Sequence, residues 1–151
     1  MATRSLTIMK ADGKEIAVLY RQYDGYPTGM GKDIVDCLRD KVVVNGYSSN
    51  DHVNGGEDMA IQLISYLKLK DVQESNARES LFPQGSGPHV EKGVNTPGQY
   101  YLYPAGTRDC AEEYIYDVDA SHDTGKINLK VYHGDMLTFE GNLNDYVPHD
   151  D

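Results

Sequence analysis

Apolar and polar residues alternate along the start of the chain in the pattern of a β-hairpin. The alternating apolar positions are Leu6, Ile8, Ile16, Val18 and Tyr20. An Asp-Gly pair at positions 12–13 separates the two runs, and this pair favours the tight turns that join antiparallel strands. The pattern predicts two paired strands over residues 4–22.

Helical spacing of apolar residues replaces this alternation further along the chain. It predicts a short amphipathic helix over residues 30–40 and a second helix that begins near residue 55. Glu57 and Asp58 lie in the first turn of the second helix, where the helix dipole favours acidic side chains. The predicted buried stripe of this helix is Met59, Ala60, Leu63, Ile64 and Leu67.

Residues 71–98 have a different character. They contain four glycines and three prolines and few periodic apolar residues. This composition predicts a long loop, and a loop of such length in a compact domain is usually functional or mobile.

Alternation returns after this segment and completes the predicted fold. It predicts strands over residues 100–103, 113–119 and 126–132, a short edge strand near 136–140, and an acidic tail over 141–151 that frays. We therefore expect one α+β domain spanning residues 1–151, with the element order ββ-α-α-βββ. Its antiparallel sheet is expected to carry both helices on one face, and the other face is either wet or covered by a partner.

The charge of the chain excludes one class of partner. Its 24 acidic and 14 basic residues give a formal net charge of −10, and no run of basic residues occurs. Long nucleic acids are held mainly by clustered Lys and Arg, so we expect no binding to long DNA or RNA. No apolar stretch approaches the ~18 residues of a membrane-spanning helix, and the chain does not begin with a signal peptide. We expect a cytosolic protein without a membrane partner.

Patterns typical of catalysis or metal binding are missing from the sequence. The five histidines form no HxH or HxxxH pair, and no GxSxG, P-loop or CxxC pattern occurs. Cys37 falls in the first predicted helix as a small core residue, and Cys110 falls in a loop. We expect no catalytic residue, no metal, no cofactor and no enzymatic activity.

Two segments near strand ends combine Arg with Tyr, a pairing that suits a phosphorylated aromatic ligand. Arg21 and Tyr23 leave the predicted hairpin together, although Arg21 in a structural turn with Asp24 is an equal alternative. Tyr101 and Tyr103 share one strand face, and Arg108 follows in the next loop. For these three residues the alternative is a sheet edge with a salt-bridged loop.

The start of the second helix is a third candidate. Asn54 precedes two glycines, and free N–H groups at a helix N-terminus bind anions when glycine lets them approach closely. Plain capping of the helix by Asn54 is the alternative interpretation.

Several of these segments together resemble a known group of proteins. Residues 21–27, 29–32, 54–64 and 100–104 are similar to segments of small phage-encoded proteins, and the resemblance spans about residues 4–133. This group is identified with the anti-Thoeris sponge proteins. Those proteins bind cyclic ADP-ribose isomers made by bacterial TIR-domain defence enzymes, and they stop the signal without cleaving it.

The resemblance implies a binding protein that sequesters a small cyclic nucleotide. We expect a dimer or a larger homo-oligomer, because a small domain encloses such a ligand more easily between subunits. In that view Tyr23, Tyr101 or Tyr103 stacks on adenine, Arg21 and Arg108 hold the diphosphate, and Asn45 or Asn54 binds ribose hydroxyls. Two alternatives stay open: a module that docks on a host protein through its tyrosine-rich sheet, and a small enzyme that cleaves the same nucleotide.

Overall fold

The chain folds into a six-stranded sheet that carries two helices on one face, which confirms the α+β class. The computed structural model describes residues 2–46, 49–81 and 90–150. The elements in chain order are β1 (Ser5–Ala11), β2 (Lys14–Arg21), a π-helical turn (Pro27–Gly31), α1 (Lys32–Leu38), β3 (Val42–Val44), β4 (His52–Asn54), α2 (Gly55–Leu81), β5 (Tyr100–Pro104), β6 (Tyr114–Ala120), β7 (Ile127–His133), β8 (Met136–Asn142) and a 3₁₀ turn (Leu143–Asp145).

The N-terminal hairpin has the predicted turn. Asp12 and Gly13 connect β1 to β2 with φ angles of 49° and 83°. Positive φ at both central residues is the requirement of the type I′ turn, whose twist matches that of the flanking strands. The hairpin prediction is confirmed.

The sheet is mixed rather than purely antiparallel, which corrects the prediction. Its order is β5-β2-β1-β6-β7-β8, and β1 pairs with β6 in parallel. The alternation of apolar residues predicts which face of a strand is buried but carries no information about which strand lies beside it. A second, two-stranded parallel sheet of β3 and β4 was also not predicted, because β4 is only three residues long.

Helix α2 continues to Leu81, so the prediction of a loop over residues 71–98 is wrong for residues 71–81. These residues include no glycine or proline, and Val72 extends the buried stripe of the helix. Their other side chains are mostly polar, so the sequence shows too few apolar residues to reveal the helical spacing. Residues 82–89 lie outside the described part of the chain. Residues 90–99, which we call the strap, form neither helix nor strand.

The core lies between the sheet and the helices. Its largest fully buried side chains include Met9, Met30, Leu63, Tyr116 and Leu129.

The opposite face of the sheet carries a smaller apolar cluster formed by Leu6, Ile8, Val18 and Tyr20. The connection between β5 and β6 (residues 105–113) crosses β2 and β1 on this face, and Cys110 packs against the cluster. The chain itself thus covers part of the face that the sequence left to solvent or a partner.

The C-terminal segment is packed through Asp150, which corrects the prediction of a frayed tail over residues 141–151. Leu143 and Tyr146 are buried, and the Tyr146 ring lies 4.9 Å from that of Phe139. Asp150 accepts hydrogen bonds from the main-chain N–H of Thr28, at 2.9 Å, and from its hydroxyl. The prediction followed the acidic composition of the tail and overlooked its two buried apolar residues. Asp151 lies outside the described residues.

A buried ion network joins β2 to both helices. The Arg21 guanidinium donates to Asp33 Oδ2 at 2.7 Å, to the Tyr100 hydroxyl at 2.9 Å and to the Tyr23 carbonyl at 2.6 Å. Lys70 from α2 donates to the other oxygen of Asp33, and this bond raises the pKa of Lys70. Arg21 and Asp33 are only 6% and 5% exposed, so each charge depends on the other for compensation.

Replacing Asp33→Asn should therefore destabilise the protein by about 3–5 kcal/mol, because it leaves the Arg21 charge buried without its counter-charge. Chemical denaturation monitored by circular dichroism measures the loss. Asp36→Asn is the matched control, since Asp36 forms an exposed ion pair with Lys32 on the same helix and should cost about 0–1 kcal/mol. Equal losses in the two variants would contradict a structural role for the network.

A histidine clamp joins three connections at one end of the sheet. His122, in the β6–β7 turn, donates its main-chain N–H to Asp12 Oδ1 at 2.7 Å, and its Nδ1 lies 2.8 Å from Asp12 Oδ2. Its Nε2 lies 3.2 Å from the carbonyl of Val44 at the end of β3. Both ring nitrogens face acceptors, and only the imidazolium donates from both. The side-chain bond to Asp12 raises the pKa of His122, with a smaller contribution from Glu57.

The clamp should make stability depend on pH near neutrality. Because the folded-state pKa of His122 lies above the unfolded value of about 6.5, its stabilisation is complete below that pH and is lost as pH rises through the raised folded-state pKa. Hydrogen bonds from His122 lower the pKa of Asp12, which keeps that carboxylate ionised throughout this range. An NMR titration of the His122 ring measures the pKa directly. In the Asp12→Asn variant the midpoint should fall towards the ordinary value, and identical midpoints would contradict the clamp.

Candidate functional site

The residues predicted to bind a ligand do not meet in one place. Arg21 lies in the buried ion network, where its guanidinium is engaged by Asp33, Tyr100 and the main chain. It pairs with Asp33 rather than with Asp24, the partner that the alternative interpretation gave it. This corrects the expectation that Arg21 holds a phosphate: a guanidinium 6% exposed and bonded internally is a structural cation.

Asn45 and Asn54 lie beside the N-terminus of α2. The Asn54 side chain accepts a hydrogen bond from the Gly46 N–H at 2.8 Å, and the Asn54 N–H donates to Asp58 at 2.8 Å. A polar cavity of about 570 Å³ opens here, and Asn54, Asp58 and Gln62 form part of its wall. Asn45 is exposed next to it.

Gly56 has a packing role at this helix start. A Cβ there would come within 2.5 Å of the Ala11 Cα, so glycine is what lets α2 approach the end of β1. Acidic Glu57 and Asp58 already face the positive end of the helix dipole. The glycine pair therefore has a structural explanation that does not involve an anion.

Arg108 and Tyr103 lie on the sheet face that residues 105–113 cross. The Arg108 guanidinium donates two hydrogen bonds to the Glu15 carboxylate, at 2.8 and 3.2 Å. These bonds lower the pKa of Glu15. This is the salt-bridged loop of the alternative interpretation. The Tyr103 ring lies 6.3 Å from the ring of Tyr20, and the side chain is partly exposed.

Tyr23 and Tyr101 alone among the predicted residues line one cavity together. This cavity, the strap pocket, has a volume of about 730 Å³. Its walls are the C-terminal half of α2, the loop after β2 and the strap. Both rings are about half exposed, at 56% and 54%. Tyr23 is held by a 2.9 Å hydrogen bond from its N–H to the Gln99 side chain, and the Tyr101 ring packs 5.8 Å from the ring of Tyr20.

Two basic side chains that the sequence analysis missed also line the strap pocket. Arg78 projects from α2 and is exposed, and it makes no ion pair or hydrogen bond with the residues that the structure describes. Lys92, from the strap, donates to the Ser75 hydroxyl at 3.1 Å. Both residues fell in the segment predicted as loop. The lack of glycine and proline before Pro83 was the signal that would have placed Arg78 on a helix.

The acidic side chains of the strap pocket already accept hydrogen bonds or ion pairs. Asp24 accepts from the Tyr26 hydroxyl at 3.1 Å, and Asp71 accepts from the Gln99 main chain and side chain at 3.3 and 3.2 Å. Glu74 lies 3.9 Å from the lysine one turn before it on α2. Tyr26 and Gln99 carry no charge, so among these three carboxylates only that of Glu74 has a cationic partner in the described part of the chain. The guanidinium of Arg78 remains available to an anion.

The strap pocket and the polar cavity are separate sites. Gly55, which follows Asn54, and Asp71, the first α2 residue of the strap pocket, lie sixteen positions apart on the helix, which at 1.5 Å per residue is about 24 Å. One small nucleotide does not reach from one to the other, so Asn45 and Asn54 cannot share a ligand with Tyr23 and Tyr101.

Within the three described ranges, no group of three or more His, Cys, Asp or Glu side chains is arranged to hold a metal ion. The helices of this part of the chain are also too short or too polar to cross a membrane.

Comparison with protein-family models gives no match to the chain, and comparisons with curated proteins and with solved structures give none either. The resemblance to anti-Thoeris sponge proteins therefore stays a prediction.

Proposed function

We propose that this protein binds and sequesters a small cyclic nucleotide of the cyclic ADP-ribose class without cleaving it, and that the strap pocket is the ligand site. The observation that carries the proposal is that one half-exposed tyrosine, Tyr23, lines a cavity together with Arg78 and Lys92. A volume of about 730 Å³ falls within the range of roughly 300–1,000 Å³ that small-molecule sites occupy.

Each part of such a ligand has a chemical counterpart in the strap pocket. An adenine ring stacks on Tyr23, because base–aromatic stacking needs only an open ring face; the Tyr101 ring packs on Tyr20, on the face of the sheet away from α2. Arg78 binds the diphosphate through its planar fork, and Lys92 adds a second positive charge. Asp24 and Glu74 accept hydrogen bonds from ribose hydroxyls. Arg78 and Lys92 thus replace Arg21 and Arg108 in the role that the sequence analysis gave them.

Sequestration of this kind suits a phage-encoded inhibitor of a defence system that signals through a cyclic nucleotide. The inhibitor acts in the cytosol of the host, where the signal is made, and removes it by binding. Association of two or more copies would shield a ligand that the strap pocket leaves partly open. These parts of the proposal rest on the resemblance and on the absence of a recognisable catalytic pattern in the sequence.

A second candidate function has one specific observation in its favour. Strand β5 is an edge of the sheet, and its Leu102, Tyr101 and Tyr103 side chains are 61%, 54% and 37% exposed. Exposed apolar edge strands pair readily with another chain. A module that docks on a host protein through this tyrosine-rich edge is therefore the alternative.

The assignment of the site is tested by comparing two arginine variants. Arg78→Ala should weaken the binding of cyclic ADP-ribose about tenfold to a hundredfold, because a charge-assisted contact contributes roughly 1.5–3 kcal/mol. Arg108→Ala is the matched control: it removes the same charge outside the strap pocket and should leave Kd within about twofold. Isothermal titration calorimetry measures both. Weakening by Arg108→Ala but not by Arg78→Ala would move the site to the other face of the sheet.

The mode of action is tested by titration with excess ligand. A sequestering protein saturates at a fixed ratio of ligand to subunit, and heat releases the nucleotide intact. An enzyme turning over even about once per second would convert a large excess within minutes. Chromatography of the released material separates the two. A new product beyond the stoichiometric ratio identifies an enzyme, and no bound nucleotide favours the protein-docking module.

A further inference from the structure

The strap is fastened to α2 along its length by polar contacts. Asn76 and Lys92 form a reciprocal pair: the Asn76 amide donates to the Lys92 carbonyl at 3.0 Å, and the Lys92 N–H donates to the Asn76 side chain at 2.8 Å. Lys68 donates to the Thr96 carbonyl. At the far end the Gln99 N–H donates to Asp71 at 3.3 Å. The side chains of one helix thus bind mainly the backbone of the strap.

Apolar burial contributes little to this attachment. The valines of the strap, Val90 and Val94, are 78% and 55% exposed. A segment held by hydrogen bonds near solvent, with few buried apolar contacts, opens at a much lower free energy than the core. Water replaces each such bond on opening, so the net contribution of the bond to the closed state is small.

The strap is also a wall of the strap pocket. Lys92, Pro97 and Gln99 line the cavity from the strap, and Arg78 lines it from α2. Movement of the strap away from the helix therefore widens the cavity, and its return brings the charge of Lys92 towards that of Arg78. An anion placed between these two side chains would hold the strap against the helix.

We infer that the strap is a gate over the strap pocket and that Asn76 is the positioning residue that latches it. This inference rests on the proposed function for what the gate admits, but the motion itself is a property of the free protein. In the latched state the Asn76–Lys92 pair fixes the position of Lys92. We expect loss of the pair to let the strap open as a unit, because few apolar contacts hold it and water can replace the hydrogen bonds of Thr96 and Gln99 to α2.

Hydrogen exchange on the free protein tests the latch. In Asn76→Ala the Gln99 amide, at the opposite end of the strap, should exchange about tenfold faster, while the amides of Leu63 and Leu67 in the core part of α2 keep their rates. Gln73→Ala is the matched control, because it removes an exposed amide side chain one turn earlier on the same helix and should leave the Gln99 rate unchanged. An unchanged Gln99 rate in Asn76→Ala, or equal acceleration in the core, would overturn the gate.

Binding kinetics with cyclic ADP-ribose test what the latch does. Asn76→Ala should raise koff about tenfold and leave kon equal or faster, because an open gate admits and releases ligand freely. A lower kon with unchanged koff would overturn the gating role. If the wild-type protein binds no cyclic ADP-ribose, the proposed function is wrong. The exchange rate of the Gln99 amide then decides by itself whether the strap opens as a gate.

Discussion

The arrangement of the helices depends on the ion pairs that the buried carboxylate of Asp33 forms. It lies between Arg21 at the end of β2 and Lys70 in the middle of α2, so one charged group fixes three elements. A buried charge is tolerated only when counter-charges and hydrogen bonds surround it. A shift of α1 against the sheet would separate Asp33 from Arg21, both of which are buried, and a shift of α2 would separate Asp33 from the partly exposed Lys70. The network therefore sets the position of the helix that carries Arg78.

The same network explains why the candidate site lies where it does. Arg21 holds the Tyr23 carbonyl, in the loop after β2 that lines the strap pocket, and the hydroxyl of Tyr100, which follows the strap in the chain. The far part of α2 has few apolar side chains and instead presents polar groups to the strap. A rigid core and a weakly held wall thus lie side by side, which is a common arrangement at ligand sites.

The sequence predicted local features well and long-range ones poorly. The hairpin and the strand faces follow from alternation over a few residues, and the Asp12-Gly13 turn has a stereochemical cause. The parallel pairing of β1 with β6 has no local signature. The helix beyond residue 70 was missed because a single buried residue, Val72, carries its apolar period. Arg21 was predicted as a ligand contact because sequence does not show that Asp33 lies 2.7 Å away.

The parallel pairing of β1 and β6 has a consequence for the order in which the fold is completed. Ser5 lies opposite Tyr114 in that pairing, so during synthesis a central strand waits for a partner made about a hundred residues later. The β1–β2 hairpin is local and closes early, but one edge of β1 stays unpaired until β6 emerges. Closing such a long loop is slow, and an unpaired apolar strand invites association with other chains. Because β1 is central, the sheet is completed only when β6 pairs with it.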